Sequence, residues 1–301
     1  MFNVEDFTLA VYCLVDDLLS ELVHIHTNGL GLRPGRMAPH LSDGEVITMM
    51  VVGEFLSLDS DKAIWKYFRR HGRHLFPRIG DRSRFIRQGA NLWWFVGALH
   101  RVIAKRLGAL DDEVHIIDGF PMELANINRA ARTRSFRGEA ARGYCAAKKH
   151  HYFGFRGHLV ISFDGVVTAC AVTAANVDER QATWDVIDNL AGQLLGDKGY
   201  IGQFFASLLK EQGIVLLTPV RKNMTQPTTT PWTWTMGRIR RRIETVIGQL
   251  VERFHIGKVR ARDRWHLTLR VNRKILSHTI ARYLMRQIGI DSMELEELVA
   301  A

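Results

Sequence analysis

Cysteines and long apolar runs are scarce in this chain, and each scarcity excludes a class of protein. The three cysteines are an odd number without C-x-x-C spacing, which excludes a disulfide framework or a zinc ribbon and favours a reducing compartment. No run of about 18 apolar residues occurs, and the best candidate, residues 46–56, is interrupted by Glu54. Residues 1–6 lack the basic start of a secretory signal. We therefore expect a cytoplasmic protein with no membrane partner.

Acidic residues are outnumbered by basic ones. The 301 residues include 41 Lys and Arg against 31 Asp and Glu, which gives a formal net charge of +10. Such a balance favours polyanionic partners and salt-sensitive association. The chain has no Walker A pattern, and Gly29-Leu30-Gly31 lacks the third glycine of a dinucleotide fingerprint, so nucleotide-cofactor functions are disfavoured. We expect double-stranded DNA as the partner and a nucleoid-associated location.

The first third of the chain, residues 1–110, has the apolar spacing of helices and predicts a helical, DNA-binding N-terminal region. Ser42 followed by Glu45 predicts a capping box at the start of one helix. The predicted helices cover residues 4–23, 42–56, 61–70 and 81–107.

The last of these helices begins with an arginine cluster, Arg82, Arg84 and Arg87. A helix, a turn and a basic helix start are compatible with a helix-turn-helix that contacts DNA. The alternative is a solvated basic face on an ordinary bundle helix.

From residue 112 the pattern changes to short, β-branched apolar runs that predict strands. These runs are residues 114–118, 158–163, 166–173, 193–197 and 214–220. Asp164-Gly165 predicts a hairpin between the second and third. We predict helices at 178–190, 202–212, 237–254 and 267–288, and a loop at 221–236. The whole predicts an α/β catalytic domain over residues 111–288, a mixed sheet flanked by helices, with an acidic tail at 289–301.

Three carboxylates stand out: Asp118 and Asp197 each close an apolar run, and Glu244 lies in a basic helical segment. Two strand-end carboxylates and one on a later helix can converge on a metal pocket, which suits phosphoryl transfer with two magnesium ions. Taken singly, each aspartate could only start a turn, and Glu244 could be the i, i+4 partner of Arg240.

At these positions the chain resembles the DDE transposases of bacterial insertion sequences, and is most similar to insertion-sequence family 982 of the ribonuclease-H-like superfamily. The resemblance covers about residues 112–286 and rests on five segments in order. They are Ile117-Asp118-Gly119-Phe120-Pro121, Lys148-Lys149-His150 with Tyr152-Phe153-Gly154-Phe155, Ala174-Ala175-Asn176-Val177-Asp178, Gly196-Asp197-Lys198-Gly199-Tyr200 and Arg240-Arg241-Arg242-Ile243-Glu244-Thr245.

The resemblance implies that Asp118, Asp197 and Glu244 are a catalytic triad that binds Mg²⁺, with Mn²⁺ as a substitute. Asp118 would bridge two metal ions, and the other two residues would each complete one coordination shell. Cleavage would leave a 3′-OH that attacks target DNA, within a homodimer or a larger synaptic complex. Related enzymes often carry Tyr seven residues before the Glu and Lys seven after it, where this chain has Gly237 and Val251.

Basic side chains between and around these motifs are candidates for DNA contact, because phosphate neutralisation needs clustered Lys and Arg. Those outside the N-terminal region are Arg132, Arg134, Arg137, Lys148, Lys149, Lys198, Arg240 and Arg241. For the segment from 129 to 149 we favour DNA contact, and a solvated arm is the alternative. Trp232 and Trp234 could stack on unpaired bases or pin a lid to the core. His150, His151 and His158 lack cysteines at zinc spacing, so we expect phosphate contact or surface solvation from them.

The sequence therefore predicts a DNA transposase. Two alternatives stay open: a metal-dependent nuclease without strand transfer, and a catalytically silent DNA-binding protein derived from a transposase.

Overall fold

A computed structural model gives the three-dimensional structure of the chain. It describes residues 2–27, 39–146, 149–188, 190–220, 230–290, 292–295 and 298–299, and for residues 230–235 it describes the backbone alone. The chain divides into a helical unit of residues 1–103 and 252–301 and a sheet unit of residues 104–251. The functional domains at 1–110, 111–288 and 289–301 stay predictions, although packing places residues 264–287 in the helical unit.

Among the described residues, the helical unit contains the 3₁₀ helix Ile256–Lys258 and one isolated β-bridge, but its main elements are α-helices. They are α1 (Val4–Thr27), α2 (Asp43–Phe55), α3 (Asp61–His71), α4 (Arg82–Asn91), α5 (Trp93–Arg106, which crosses the unit boundary) and α9 (Arg264–Gln287). The predicted helical N-terminal region is confirmed. None of the described helices is long and apolar enough to cross a membrane.

The start of α2 shows why a sequence signal can place a helix end. The Ser42 hydroxyl accepts from the Glu45 N–H (3.0 Å), and the Ser42 N–H donates to the Glu45 carboxylate (2.5 Å), which completes the predicted capping box. The region 81–107, predicted as one helix, is instead two helices. The chain breaks at Leu92, whose N–H donates to the Gly89 carbonyl in a tight turn (3.0 Å).

A buried ion network joins α2, α3 and α9. Arg273 donates to Glu54 (2.5 Å) and to Asp61 (2.6 Å), Lys274 donates to Glu54 (2.5 Å), and Arg270 donates to Asp61 (2.7 Å). Burial would raise the pKa of Asp61, but Arg273 and Arg270 hold that pKa down at about 2. Because more than 200 residues separate the partners, this network ties the start of the helical unit to its end.

The sheet unit contains one six-stranded mixed sheet. The strands are β1 (Val114–Asn126), β2 (Ala141–Cys145), β3 (His150–Ser162), β4 (Val167–Ala174), β5 (Gly192–Leu195) and β6 (Ile214–Leu217). The helices of this unit are α6 (Glu179–Thr183), α7 (Gln203–Glu211) and α8 (Thr230–Glu252, whose last residue lies past the unit boundary).

The predicted mixed sheet flanked by helices is confirmed. β1, β3 and β4 form an antiparallel meander, and β5 and β6 continue the sheet on the other side of β1, parallel to it. β2 and β4 both pair with the side of β3 that faces away from β1. β2 pairs with the first residues of β3, and β4 pairs with the residues that follow. Apolar side chains of β1, β3, β5 and α7 share one core cluster, which fixes the sheet against a helix.

Two strands are longer than the apolar pattern predicts. β1 continues to Asn126 rather than ending at Asp118, and β3 begins at His150 rather than at His158. The two strands pair antiparallel along nearly their whole length, so pairing rather than hydropathy sets their ends. Pro121 has no N–H to donate to a neighbouring strand. It is tolerated because β5 pairs only with residues 114–116, so that β1 pairs with β3 alone at this residue.

Three further boundaries correct the sequence interpretation. β2 lies inside the segment expected to be a basic arm, and α6 spans one turn where a helix over 178–190 was predicted. Residues 230–236 begin α8 instead of belonging to a loop, and residues 221–229 lie outside the described residues. The predicted hairpin is confirmed, with Gly165 at φ 78° between β3 and β4.

We expect Glu54→Gln to lower the free energy of unfolding by roughly 3–5 kcal/mol, because it removes the carboxylate that pairs with the buried Lys274 and one of the two that pair with the buried Arg273. Chemical denaturation measures the change. The exposed carboxylate of α1 provides the matched control, since Asp17→Asn should change stability by no more than about 0.5 kcal/mol. Equal effects of the two substitutions would show that the network contributes nothing specific.

We expect the helical unit to lose stability as the pH falls from about 7 to 5. Burial, helped by Arg101, lowers the pKa of His100 to about 4, and this ring bonds Thr279 (2.9 Å). Below the unfolded-state pKa near 6.5, His100 binds a proton in the unfolded chain but not in the folded one. The free energy of unfolding therefore falls by about 1.4 kcal/mol for each pH unit. His100→Gln should flatten the unfolding free energy against pH in this window; an unchanged slope would contradict the assignment.

Candidate active site

Asp118 and Asp197 are brought together by strand register. The last parallel pair between β1 and β5 is Ile116 with Leu195, and each aspartate lies two residues beyond its member of that pair. Side chains two residues apart point to the same face of a sheet, and neighbouring strands lie about 4.8 Å apart. The two carboxylates are therefore side by side at the end of β5.

Each aspartate is anchored by the backbone that follows it. The Gly119 N–H donates to Asp118 Oδ1 and the Gly199 N–H donates to Asp197 Oδ1, both at 2.7 Å. Asp197 thereby caps a 3₁₀ turn, residues 198–200. Only Asp197 has the turn-forming role that each aspartate could play alone, because Asp118 lies within β1; at both residues the hydrogen bond restricts the orientation of the carboxylate.

α8 places Glu244 and Arg240 near the two aspartates. Arg240 Nη2 lies 3.7 Å from Asp118 Oδ2, and Glu244 stands one helical turn further along, with its side chain exposed. Arg242 fastens the helix to the β3–β4 hairpin, because its guanidinium lies over the Phe163 ring, 3.9 Å from the centroid, and donates to the Phe163 carbonyl.

The electrostatics of Asp118 are those of a crowded anionic site. Burial, together with the charges of Asp197 and Glu244, raises its pKa to about 6 against the opposing effects of the Gly119 N–H and Arg240. A carboxylate that shares its surroundings with other carboxylates favours any cation that can enter.

Glu179 is a fourth acidic residue that the sequence interpretation missed. A Cβ atom on Gly199 would lie 2.4 Å from Glu179 Oε2 and 2.9 Å from Asp197 Oδ1, so both oxygens border the same small volume. Its other oxygen, Oε1, accepts from Arg156 Nη1 (2.8 Å). Burial, then the charges of Asp197 and Asp118, raise the pKa of Glu179 against the effect of Arg156.

A signal for Glu179 was present in the sequence. The segment 174–178, noted for its resemblance, ends at Asp178, which caps α6 by accepting from the Arg180 N–H (2.9 Å). Glu179 is the next residue. Close to it, the Tyr200 hydroxyl is fully buried without a hydrogen-bond partner among the described atoms, and burial followed by the charges of Glu179 and Asp118 raises its pKa.

These carboxylates do not form a closed metal cage. In the described part of the chain, no group of three or more His, Cys, Asp or Glu side chains is arranged to hold a metal ion. Mg²⁺ is usually bound by one or two carboxylates together with waters and substrate phosphates, so an open set of oxygens still suits that ion.

A family model described as "Transposase DDE domain" matches residues 108–264, just over half of the chain. The chain belongs to the transposase DDE domain family. The match contains both aspartates, Glu179 and Glu244. It includes all the strands of the mixed sheet as well.

One solved structure similar to this DDE transposase domain protein is a piggyBac transposase in a synaptic complex with hairpin DNA, seen by cryo-electron microscopy. The likeness has a TM-score of 0.45 at 10% identity and covers 99% of this chain and 78% of that one. No curated protein matches the chain.

The predicted DNA-contacting residues of this DDE transposase domain protein fall into three groups. Arg240 lies at the carboxylates, partly buried, and Lys198 is exposed in the turn after Asp197. The other described members are exposed: Arg82, Arg84 and Arg87 on α4, Arg132, Arg134 and Arg137 before β2, Lys149 before β3, and Arg241 on α8. Lys148 and the side chains of Trp232 and Trp234 lie outside the described residues.

A second basic surface on α3 went unnoticed in the sequence. Four exposed cations, Lys62, Lys66, Arg69 and Arg70, occupy one arc of this helix by their i, i+4, i+7, i+8 spacing. The opposite arc buries Ile64 and Phe68. The helix-turn-helix interpretation, which placed its basic residues on α4, stays a prediction.

The expected solvation of the histidines is wrong for His158. It is fully buried in β3 and bonds the Thr173 hydroxyl (2.9 Å), because the strand pairs on both sides there. His150 instead bonds Glu123 (2.8 Å), and His151 is exposed.

We expect Gly199→Ala to fold normally and to slow DNA cleavage on the order of a hundredfold, since displacing the carboxylates by about 1 Å costs that much. The added methyl group would meet Glu179 Oε2 and Asp197 Oδ1, the ends of flexible side chains. Thermal melting and cleavage rates check both halves. Gly237→Ala is the control, because its Cβ would meet nothing within 4 Å; similar rates for both variants would contradict the expectation.

Proposed function

We propose that this protein is a DNA transposase of the insertion-sequence type, most similar to insertion-sequence family 982. It cuts the ends of its element and joins the 3′-OH to target DNA. The observation that carries the proposal is the proximity of Asp118, within β1, to Asp197, just beyond the end of β5, in a chain of the transposase DDE domain family.

Divalent metal ions suit this site by its donor chemistry. Carboxylate oxygens are hard ligands of the kind that Mg²⁺ and Mn²⁺ prefer. Burial, and then the neighbouring carboxylates, raise the pKa of Asp118, and a cation would stabilise its charged form. When bound, such ions would shield the phosphate charge and favour an oxygen nucleophile. Asp118, Asp197 and Glu244 are the residues that would hold them.

The residues of the chain orient the reacting groups. The backbone N–H groups of Gly119 and Gly199 hold the two aspartates in fixed directions. Arg240, 3.7 Å from Asp118, supplies a positive charge that can neutralise a phosphate oxygen beside the carboxylates. Because Arg242 fastens α8 to the hairpin, Arg240 and Glu244 reach the site together.

The partner proposed for the protein is double-stranded DNA, both the terminal repeats of the element and the target. Two ends must be held at once, so a homodimer or a larger synaptic complex is proposed. The net charge of +10 and the exposed arginines of α4 and of the segment before β2 support DNA binding.

We expect Asp118→Asn to abolish cleavage and joining while leaving DNA binding intact. The assay uses purified protein, Mg²⁺ or Mn²⁺, and a labelled duplex that carries the ends of the element encoding this chain. Wild type should nick at the element boundary only with metal and should join the 3′ end to target DNA. Glu244→Gln should behave like Asp118→Asn.

Asp185→Asn, an exposed aspartate of the same unit, serves as the matched control and should keep full activity. Cutting without joining by wild type would favour the nuclease alternative. Binding without cutting by wild type would favour the silent DNA-binding protein and overturn the catalytic proposal.

A further inference from the structure

We propose that Arg156 is a phosphate-binding residue of this site and that Glu179 is the positioning residue that holds it. The proposal rests on the proposed function, since it assigns a role toward the DNA strand that the site would cut. It adds two residues to those that the triad and its basic neighbours supply.

Arg156 is fixed from two directions. Its Nη1 donates to Glu179 Oε1 on α6 (2.8 Å), and its Nη2 donates to the Tyr144 carbonyl on β2 (3.3 Å). The strand below it, β3, pairs with both β1 and β4 at this residue. An arginine held by two separate elements loses little further freedom when it binds a ligand.

The guanidinium group belongs to the carboxylate site. A Cβ atom on Gly119, the residue after Asp118, would lie 3.5 Å from Arg156 Cδ and 3.5 Å from Glu179 Oε1. The side chain of Arg156 keeps 21% of its surface exposed, so a phosphate can reach it. Arg240 lies beside Asp118, whereas Arg156 reaches the site through Glu179, whose Oε2 borders the same small volume as Asp197 Oδ1.

The chemistry of arginine suits this role. A guanidinium has five N–H donors, and the two contacts described use only two of them. The remaining donors can bind phosphate oxygens in the planar, two-point geometry that distinguishes arginine from lysine. Glu179 offsets the charge of Arg156 while no DNA is bound, so the ion pair keeps the cation at the carboxylates instead of letting it extend into solvent.

The test measures DNA affinity against salt concentration without metal, with chelator present, so that no cleavage occurs. The probe is a fluorescent duplex carrying the element ends. We expect Arg156→Gln to weaken binding roughly ten- to a hundredfold and to reduce the slope of log affinity against log salt by about 1. Arg156→Lys should restore the slope but not the full affinity, because it keeps the charge and loses the fork geometry.

Glu179 is tested through the double variant. Glu179→Gln alone should weaken binding less than Arg156→Gln, and in the Arg156→Gln background it should have no further effect, because its action passes through the arginine. Arg180→Gln removes the exposed neighbour that pairs with Asp178, and it is the matched control that should leave the slope unchanged. Circular dichroism melts confirm that each variant is folded.

The outcomes separate the two proposals. A wild type that binds no DNA would overturn the proposed function itself. Wild-type binding with an unchanged affinity and slope in Arg156→Gln would overturn only the role of Arg156. An additional loss on adding Glu179→Gln to Arg156→Gln would overturn the positioning role, because Glu179 would then act on its own.

Discussion

The parallel register of β1 and β5 is the constraint on which the candidate site depends. Ile116 faces Leu195, so the aspartates two residues beyond each of them reach the same face at the end of β5. A slip of one residue would turn one of the two carboxylates to the opposite face. Ile117 and Leu194 are buried in the core cluster, and their packing stabilises this register. The same contacts therefore determine how the sheet packs and where the carboxylates lie.

The negative charges of carboxylates this close together need nearby positive charges. The sheet unit supplies them with arginines from separate elements. Arg240 comes from α8 and lies beside Asp118, while Arg156 comes from β3 and holds Glu179. The helical unit applies the same rule away from any site, where Arg273 joins Glu54 and Asp61 in its interior. The charged side chains at the carboxylate site remain partly exposed and can exchange partners. Those of the helical unit are buried and stabilise its packing.

Local signals predicted much of this structure, and long-range pairing accounts for most of what they missed. The capping box at Ser42 and the hairpin at Gly165 depend on neighbouring residues and are confirmed. The lengths of β1 and β3 depend on each other across the sheet, which hydropathy along one strand does not report. Glu179 was missed although it directly follows the segment 174–178, because only the packing of α6 brings its carboxylate next to Asp197.

The discontinuity of the helical unit has a consequence for how the chain folds as it is made. Glu54 and Asp61 leave the ribosome early, whereas Arg270, Arg273 and Lys274 follow only after the whole sheet unit. At 5–20 residues per second, roughly ten to forty seconds of synthesis separate the partners. During that time Glu54 and Asp61 lack the cations with which they pair in the folded unit. Every strand of the sheet is synthesised before those cations and is already able to pair. The sheet unit can therefore complete its fold first, and α9 closes the helical unit last.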